Sequence, residues 1–242
     1  MFDLIATRYD MINRVLAVGM DIGWRKRMVQ KIQESLVGQD SSRLLDIATG
    51  TADVALLLAD AIPTATILGV DPSQNMLSVG DEKIRARGYA NERIQLRQIS
   101  DRQNFTEFAA PGSFDAATIA FGIRNVPDRA AALCEIRHVL KEGGRFCVLE
   151  FSEPDDSFGA LGRLARLFIR HVVPFLGGVL SAKPREYWHL QSSIQNFPSP
   201  NEFGRLMEQL DCARHQGTFR MEELIQMNFG SVQLYVATAV NS

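Results

Sequence analysis

Leu44-Leu45-Asp46-Ile47-Ala48-Thr49-Gly50-Thr51-Ala52-Asp53, followed by Val70-Asp71, is the stretch whose reading decides the fold. An apolar run enters a turn of small residues, and 21 positions beyond Gly50 an acid closes a second apolar run. That is the layout of a nucleotide-type cofactor site in a βαβ unit. Small residues let the backbone approach a ligand, and the helix that follows offers N–H groups with no partner inside the helix. Asp71 can accept hydrogen bonds from both hydroxyls of a ribose. Asp46, at a strand end, is placed to meet a cationic amino group directly or through water, and it also suits turn chemistry. Thr51 and Asp53 suit either a ligand contact or a plain helix start, where an acid complements the dipole.

The motif sits in a chain of 242 residues, 46% hydrophobic and 22% charged, which predicts one α/β domain spanning 1–242. A net charge of −2 lacks the basic excess of a nucleic-acid binder. Cys134, Cys147 and Cys212 are few, odd in number and widely spaced, which fits reduced, intracellular thiols better than a disulfide framework or a metal site. Asp3, Arg8 and Asp10 interrupt any leader-like apolar run, and no uncharged stretch is long enough to span a bilayer. The expected location is therefore cytoplasmic.

Outward from the turn, apolar runs at 43–48, 66–71, 94–98, 114–121 and 145–151 read as short buried strands. Helical stretches at 53–60, 75–87 and 130–140 lie between them, and Lys141-Glu142-Gly143-Gly144 reads as a helix stop and turn. This alternation predicts a parallel sheet with helices on both faces and ligands at the carboxyl ends of the strands. Gly50, Asp71, Ser100 and the 121–125 loop then share one rim. Residues 1–37 read as an N-terminal helical cap, 157–197 as a helical insertion, 201–210 as a helix and 231–240 as a final strand.

The turn has no Gly-Lys-Ser/Thr and is not G-x-G-x-x-G, so it is neither a P-loop nor a pyrophosphate site, which disfavours a nicotinamide oxidoreductase. Its small residues fall on alternate positions, Ala48, Gly50 and Ala52, and this spacing resembles the first motif of S-adenosylmethionine-dependent methyltransferases. Other blocks are more specific. They are Phe2–Asn13 with Trp24-Arg25; Phe121-Gly122-Ile123-Arg124-Asn125-Val126; Arg137-His138-Val139-Leu140-Lys141 with Gly143-Gly144, running into Leu149-Glu150-Phe151-Ser152; and Tyr187-x-x-Leu190 through Phe197-Pro198. With the turn, they resemble the ubiquinone/menaquinone biosynthesis C-methyltransferase family over almost the whole chain.

That resemblance implies a class I, Rossmann-like fold with a mostly parallel seven-stranded sheet. It implies methyl transfer from S-adenosylmethionine, without a metal, to a ring carbon of a prenylated hydroquinone, demethylmenaquinol first. The ubiquinone-precursor benzoquinol, another small molecule, or a non-catalytic cofactor binder stay open as alternatives. Asp46, Gly50, Thr51, Asp71 and Ser100 are the expected cofactor residues. Arg124, Asn125 and Tyr9 are the expected catalytic residues, with Asn13 and Tyr187 on the substrate. The insertion is either an amphipathic core element or a lid over the prenyl tail touching the inner face of a membrane. A homodimer is a further expectation.

The chain also departs from the family pattern. Ala52 stands where glycine is usual, adding a methyl near the cofactor or the helix–strand contact. Ile99-Ser100-Asp101 replaces an Asn/Asp-Ala pair, Ala120 a small hydroxyl residue seen in some members, and Asp21 a histidine.

Overall fold

A computed structural model describes residues 14, 17, 19–100, 105–154, 158–167, 192–212 and 217–241. Tyr9, Asn13, Tyr187 and most of the insertion lie outside the described residues, so the expectations placed on them are not addressed by it. The described elements run α1 (Met20–Ser35), β1 (Ser42–Ile47), α2 (Asp53–Ala61), β2 (Ala65–Asp71), α3 (Gln74–Ala86), β3 (Ile94–Gln98), β4 (Phe114–Ala120), α4 (Arg129–Val139), β5 (Leu140–Phe151), α5 (Gly159–Leu167), α6 (Pro200–Glu208), β6 (Thr218–Met227) and β7 (Val232–Val240).

The seven strands form one sheet in the order β3-β2-β1-β4-β5-β7-β6. Strands β1 to β5 are parallel, whereas β7 is antiparallel to β5 and to β6. The strand order reverses between β1 and β4, which is where open α/β sheets bind ligands. The mostly parallel seven-stranded sheet implied by the resemblance is thus the one formed. Strand β6 is the element that the apolar pattern did not single out. It lies at the sheet edge, half-exposed along its length and with the two acids Glu222 and Glu223, so no continuous apolar run marks it.

Period-two alternation sends Leu44, Ala116 and Leu149 to one face and Leu45, Ala117 and Val148 to the other. The first face packs on α1 and α2 through Trp24, Met28, Ile32, Leu56 and Leu58. The second packs on α4 and α6 through Leu133, Ile136, Phe203 and Met207. Helix α1 forms because Trp24, Met28 and Ile32 recur every fourth residue and share one stripe. Helix α6 starts at a capping box: Ser199 caps, and Glu202 reaches back to its N–H at 2.9 Å.

Two local expectations change. The Lys141–Gly144 turn does end α4, but β5 has already begun at Leu140. Leu140 pairs with Phe114 and Arg145 with Ala116, so the four residues between bulge out of the strand.

The cysteines are a correction. Cys134 and Cys212, 78 positions apart, are joined in a disulfide with Cα atoms 5.6 Å apart, and Cys147 is free and buried. Count and spacing along the chain carry no information about which cysteines the packing of α4 beside the α6 exit brings together. Burial pushes the Cys147 thiol up to about 12. Thiol titration of the unfolded, unreduced protein should therefore find one free thiol per chain, and three would contradict the pairing.

Candidate active site

The cofactor turn leaves β1 through three left-handed residues on alternate positions, Ala48 (φ 53°), Gly50 (φ 55°) and Ala52 (φ 64°). Such backbone strains any residue with a Cβ but not glycine, so Gly50 suits it while Ala48 and Ala52 carry their methyls there at a cost. Thr49 N–H donates to Val70 O at 3.0 Å and Ala52 N–H to Thr49 O at 2.9 Å, which ties the turn to β2 and closes it onto α2. A Cβ on Gly50 would stand 3.3 Å from the end of Met76, so the turn packs closely over α3.

The Ala52 methyl points into this packing. Ala52 is fully buried, and it lies beside Gly80 of α3, where an added Cβ would come within 3.2 Å of it. Of the two places expected for that methyl, the helix contact is the one observed. Ala52→Gly removes left-handed strain worth ~1 kcal/mol and a buried methyl worth about the same. Stability should therefore change little, and affinity for S-adenosylmethionine should stay within about twofold by calorimetry. A tenfold gain in affinity would place the methyl in the cofactor's space.

Asp71 ends β2 and its carboxylate bridges two loops. Gly50 N–H donates to Oδ2 at 2.9 Å and Ser73 N–H to Oδ1 at 2.8 Å. The strand-end acid therefore holds the turn as well as facing the rim. Ile99 N–H donates to Asp71 O at 3.1 Å, which brings the exposed Ser100 beside it. Thr51 is buried, and Lys83 donates to its Oγ1 at 3.2 Å while also pairing with Asp53.

Asp46 is 1% exposed. Register pairs it with Thr118 on the same face of the sheet. Thr118 Oγ1 donates to Oδ1 at 2.7 Å and Thr49 Oγ1 to Oδ2 at 2.6 Å. Burial raises its pKa to about 6, with Asp71 raising it further, against the two hydroxyls and Arg25, which lower it. Between about pH 4 and pH 6 the folded chain thus holds a proton on Asp46 that the unfolded chain has lost. Its contribution to stability is present below the unfolded value of 3.8 and is lost as pH rises through about 6. The loss is about 3 kcal/mol at ~1.4 kcal/mol per pH unit. Urea unfolding should show Asp46→Asn gaining on wild type by that amount between pH 4 and pH 7, and parallel curves would refute it.

The second loop follows β4. Phe121 is left-handed at φ 58°, an unusual state for a bulky residue and one that clusters at functional sites. Its ring stacks on Phe151 at 4.6 Å, lies edge-on to Trp24 at 6.3 Å, and carries the Arg25 guanidinium at 5.4 Å. Gly122 meets Ala48 so closely that a Cβ would lie 2.5 Å from the alanine methyl. The cofactor turn and the β4 loop therefore touch at the point where the strand order reverses.

Arg124 and Asn125 sit in the single turn that follows, where Asn125 N–H donates to Gly122 O at 3.1 Å. Arg124 is buried. Its Nη1 donates to Glu150 Oε1 at 2.5 Å and to Phe121 O at 2.7 Å.

The structure thus gathers Asp46, Gly50 and Asp71 in one turn, with Thr51 behind it, Ser100 beside it, and Arg124 and Asn125 on the touching loop. Sequence reasoning gave no role to Glu150, Thr118 or Phe151. It quoted Trp24 and Arg25 without assigning them a place, and Arg25 pairs with the buried Asp21 at 2.5 Å. The signal for Glu150 was a lone acid inside an apolar strand, Val148-Leu149-Glu150-Phe151.

Comparison with known proteins gives a consistent picture. The ubiE/COQ5 methyltransferase family model matches residues 1–217. A demethylmenaquinone methyltransferase of Thermus thermophilus is 40% identical over 207 residues, 86% of this chain and 89% of that protein. A ubiquinone/menaquinone biosynthesis C-methyltransferase of Syntrophotalea carbinolica is 46% identical over 209 residues, 86% and 83%. A solved S-adenosylmethionine-dependent methyltransferase of Aquifex aeolicus shares the fold at TM-score 0.58 and 13% identity, covering 87% of this chain and 88% of that one.

Proposed function

The chain belongs to the ubiE/COQ5 methyltransferase family, and on that premise we propose that it methylates a ring carbon of demethylmenaquinol with S-adenosylmethionine as donor. The residues present fit that cofactor. Gly50 has no side chain to block the turn, Asp71 is a fixed acceptor for ribose hydroxyls, and the buried Asp46 carboxylate favours a cation beside it. When bound, S-adenosylmethionine supplies a methyl group already activated by its sulfonium.

The chain's own task is alignment and charge. A free phenol titrates near pH 10, so the site must favour the phenolate that makes the ring carbon nucleophilic. Arg124 offers a guanidinium, which serves in proteins as a donor and not as a base. It stabilises the developing oxyanion, with Asn125 beside it. The observation that carries this reading is the Gly122–Ala48 contact, which sets the Arg124 loop against the cofactor turn. Tyr9, Asn13 and Tyr187 complete the pocket in this proposal, and residues 1–37 and 157–197 serve as cap and lid of a single domain.

The test is incubation with labelled S-adenosylmethionine and short-chain analogues of demethylmenaquinol and the ubiquinone-precursor benzoquinol, with the methyl located by mass spectrometry. Label on the naphthoquinol ring carbon supports the proposal. Label on the benzoquinol alone, or on neither, overturns it.

A peripheral membrane contact at the cytoplasmic face belongs to the same proposal, and one observation favours it. Leu161, Leu164 and Leu167 form a stripe on α5, each more than half exposed, with the exposed Arg163 beside them. Phe158, just before α5, packs on Gly230 next to the exposed Phe229. No helix among the described residues is long and apolar enough to cross a membrane. Sedimentation with anionic liposomes at low salt tests the contact, and no binding removes it. A homodimer is also part of the proposal, tested by light scattering.

A further inference from the structure

The β5 carboxylate Glu150 has no exposure at all, yet it lies on the sheet face that packs against α4 and α6. Buried acids persist when they are paired, and Glu150 is paired with both parts of one residue. Its Oε1 accepts from Arg124 Nη1 at 2.5 Å, and its Oε2 accepts from Arg124 backbone N–H at 3.2 Å. Oε1 also accepts from its neighbour Phe151 N–H at 2.8 Å. A turn backbone and a guanidinium are thus fastened to the same rigid strand, 26 positions away in sequence. Among the described residues, the other polar groups of this pocket give Glu150 no second cation. Gln233 is its register partner on β7, Tyr235 lies one step along the same face, and Gln233 Oε1 and Tyr235 Oη are buried without a partner.

The clamp is one-sided. Arg124 spends Nη1 on Glu150 and on Phe121 O, and its ring-facing contact is with Phe151, 5.6 Å from Cζ to the centroid. Its Nε–H is buried and has no hydrogen-bond partner.

We propose that Glu150 is a positioning residue for methyl transfer. By holding Nη1 and the backbone of Arg124, it fixes the direction in which the rest of the guanidinium is offered to the oxygen of the reacting ring. The proposal rests on the reading of Arg124 given above. A loose guanidinium would reach the same oxygen only part of the time, so the clamp acts on the chemical step rather than on cofactor binding.

The experiment uses the full chain, S-adenosylmethionine and a short-chain demethylmenaquinol analogue. Glu150→Gln keeps the shape but loses the negative charge and replaces one of the two acceptor oxygens with an NH2 donor. It should lower kcat at least tenfold, with KM for S-adenosylmethionine and its thermal shift unchanged. In an Arg124→Met background the same substitution should change kcat less than twofold, because the residue it positions is gone. Glu150→Asp keeps the charge but draws it back from Arg124. It should show the same fall in kcat with the same cofactor shift, and it guards against a Gln variant that fails to fold. Wild-type kcat in Glu150→Asp or Glu150→Gln, or an undiminished tenfold effect in the Arg124→Met background, overturns the proposal. If Arg124→Met alone keeps kcat within threefold of wild type, the Arg124 reading itself fails, and the clamp with it.

Discussion

Arg124→Ala should reduce turnover by about 100-fold or more while affinity for S-adenosylmethionine stays within a few-fold. Loss of one preorganised donor to a developing oxyanion costs on the order of 10²–10³ in kcat. Arg124 has no hydrogen bond to the Gly50–Asp71 turn, whose anchors are backbone N–H groups, so the cofactor end should not notice the change. The same substitution also removes the cation paired with Glu150, which is fully buried. An orphaned buried charge destabilises by about 3–5 kcal/mol, and for a domain of this size that is roughly a 10 °C fall in Tm. The two effects separate cleanly by assay. Single-turnover rates on folded protein at saturating donor report the chemistry, and a thermal shift with donor reports binding. Turnover within a few-fold of wild type on folded protein sinks the assignment. An intact rate with a lowered Tm would show that the pair serves the fold alone.

The second large effect is expected at Gly122. Its backbone is an ordinary right-handed one, φ −112° and ψ −38°, so the glycine is not there for conformational freedom. It is there for space. An alanine Cβ would sit 2.5 Å from the Ala48 methyl and 3.2 Å from Ile119 Cγ1. Neither neighbour can retreat easily, since Ala48 is held in a left-handed turn and Ile119 lies in the core between β1 and β5. Overpacking of this kind costs about 1–3 kcal/mol. The functional cost should be larger, because relief requires the cofactor turn and the Arg124 loop to part. A 1 Å misplacement of reacting groups costs on the order of 10²-fold. Gly122→Ala should therefore lower kcat/KM by at least tenfold, and Ala48→Gly in the same chain should recover part of it by removing the struck methyl. Full activity in Gly122→Ala would mean the loops are not coupled through this contact.

These expectations draw unequally on sequence and structure. The alternation of apolar runs and helical stretches located β1, β2, β4, β5 and β7, because a strand buried on both faces must be apolar along its length; edge strand β3, mostly exposed, was marked only by Ile94 and Leu96. The alternation passed over β6, whose edge position relaxes that demand. The small-residue series at 48, 50 and 52 was legible as a tight turn, and the structure gives all three residues a left-handed backbone. Asp71 was legible from spacing alone, since a βα loop and a helix fix the distance from Gly50 to the end of the next strand. Its second use, as the acceptor that pins Gly50, was not.

By itself the sequence determined the fold class and located the small-residue turn after β1 and the loop after β4, all through local patterns. Strand periodicity, turn chemistry and helix starts are properties of neighbours along the chain. Only the tertiary structure decided the partners. Glu150 meets Arg124, Thr118 meets Asp46, Gly122 meets Ala48 and Cys134 meets Cys212 across separations of 26, 72, 74 and 78 residues. Such pairs depend on strand order and register, which exist only once β4 has been laid between β1 and β5. A buried acid reads the same in sequence whether it accepts from two hydroxyls, as Asp46 does, or pairs with a buried arginine, as Glu150 does, and the packed sheet settles which.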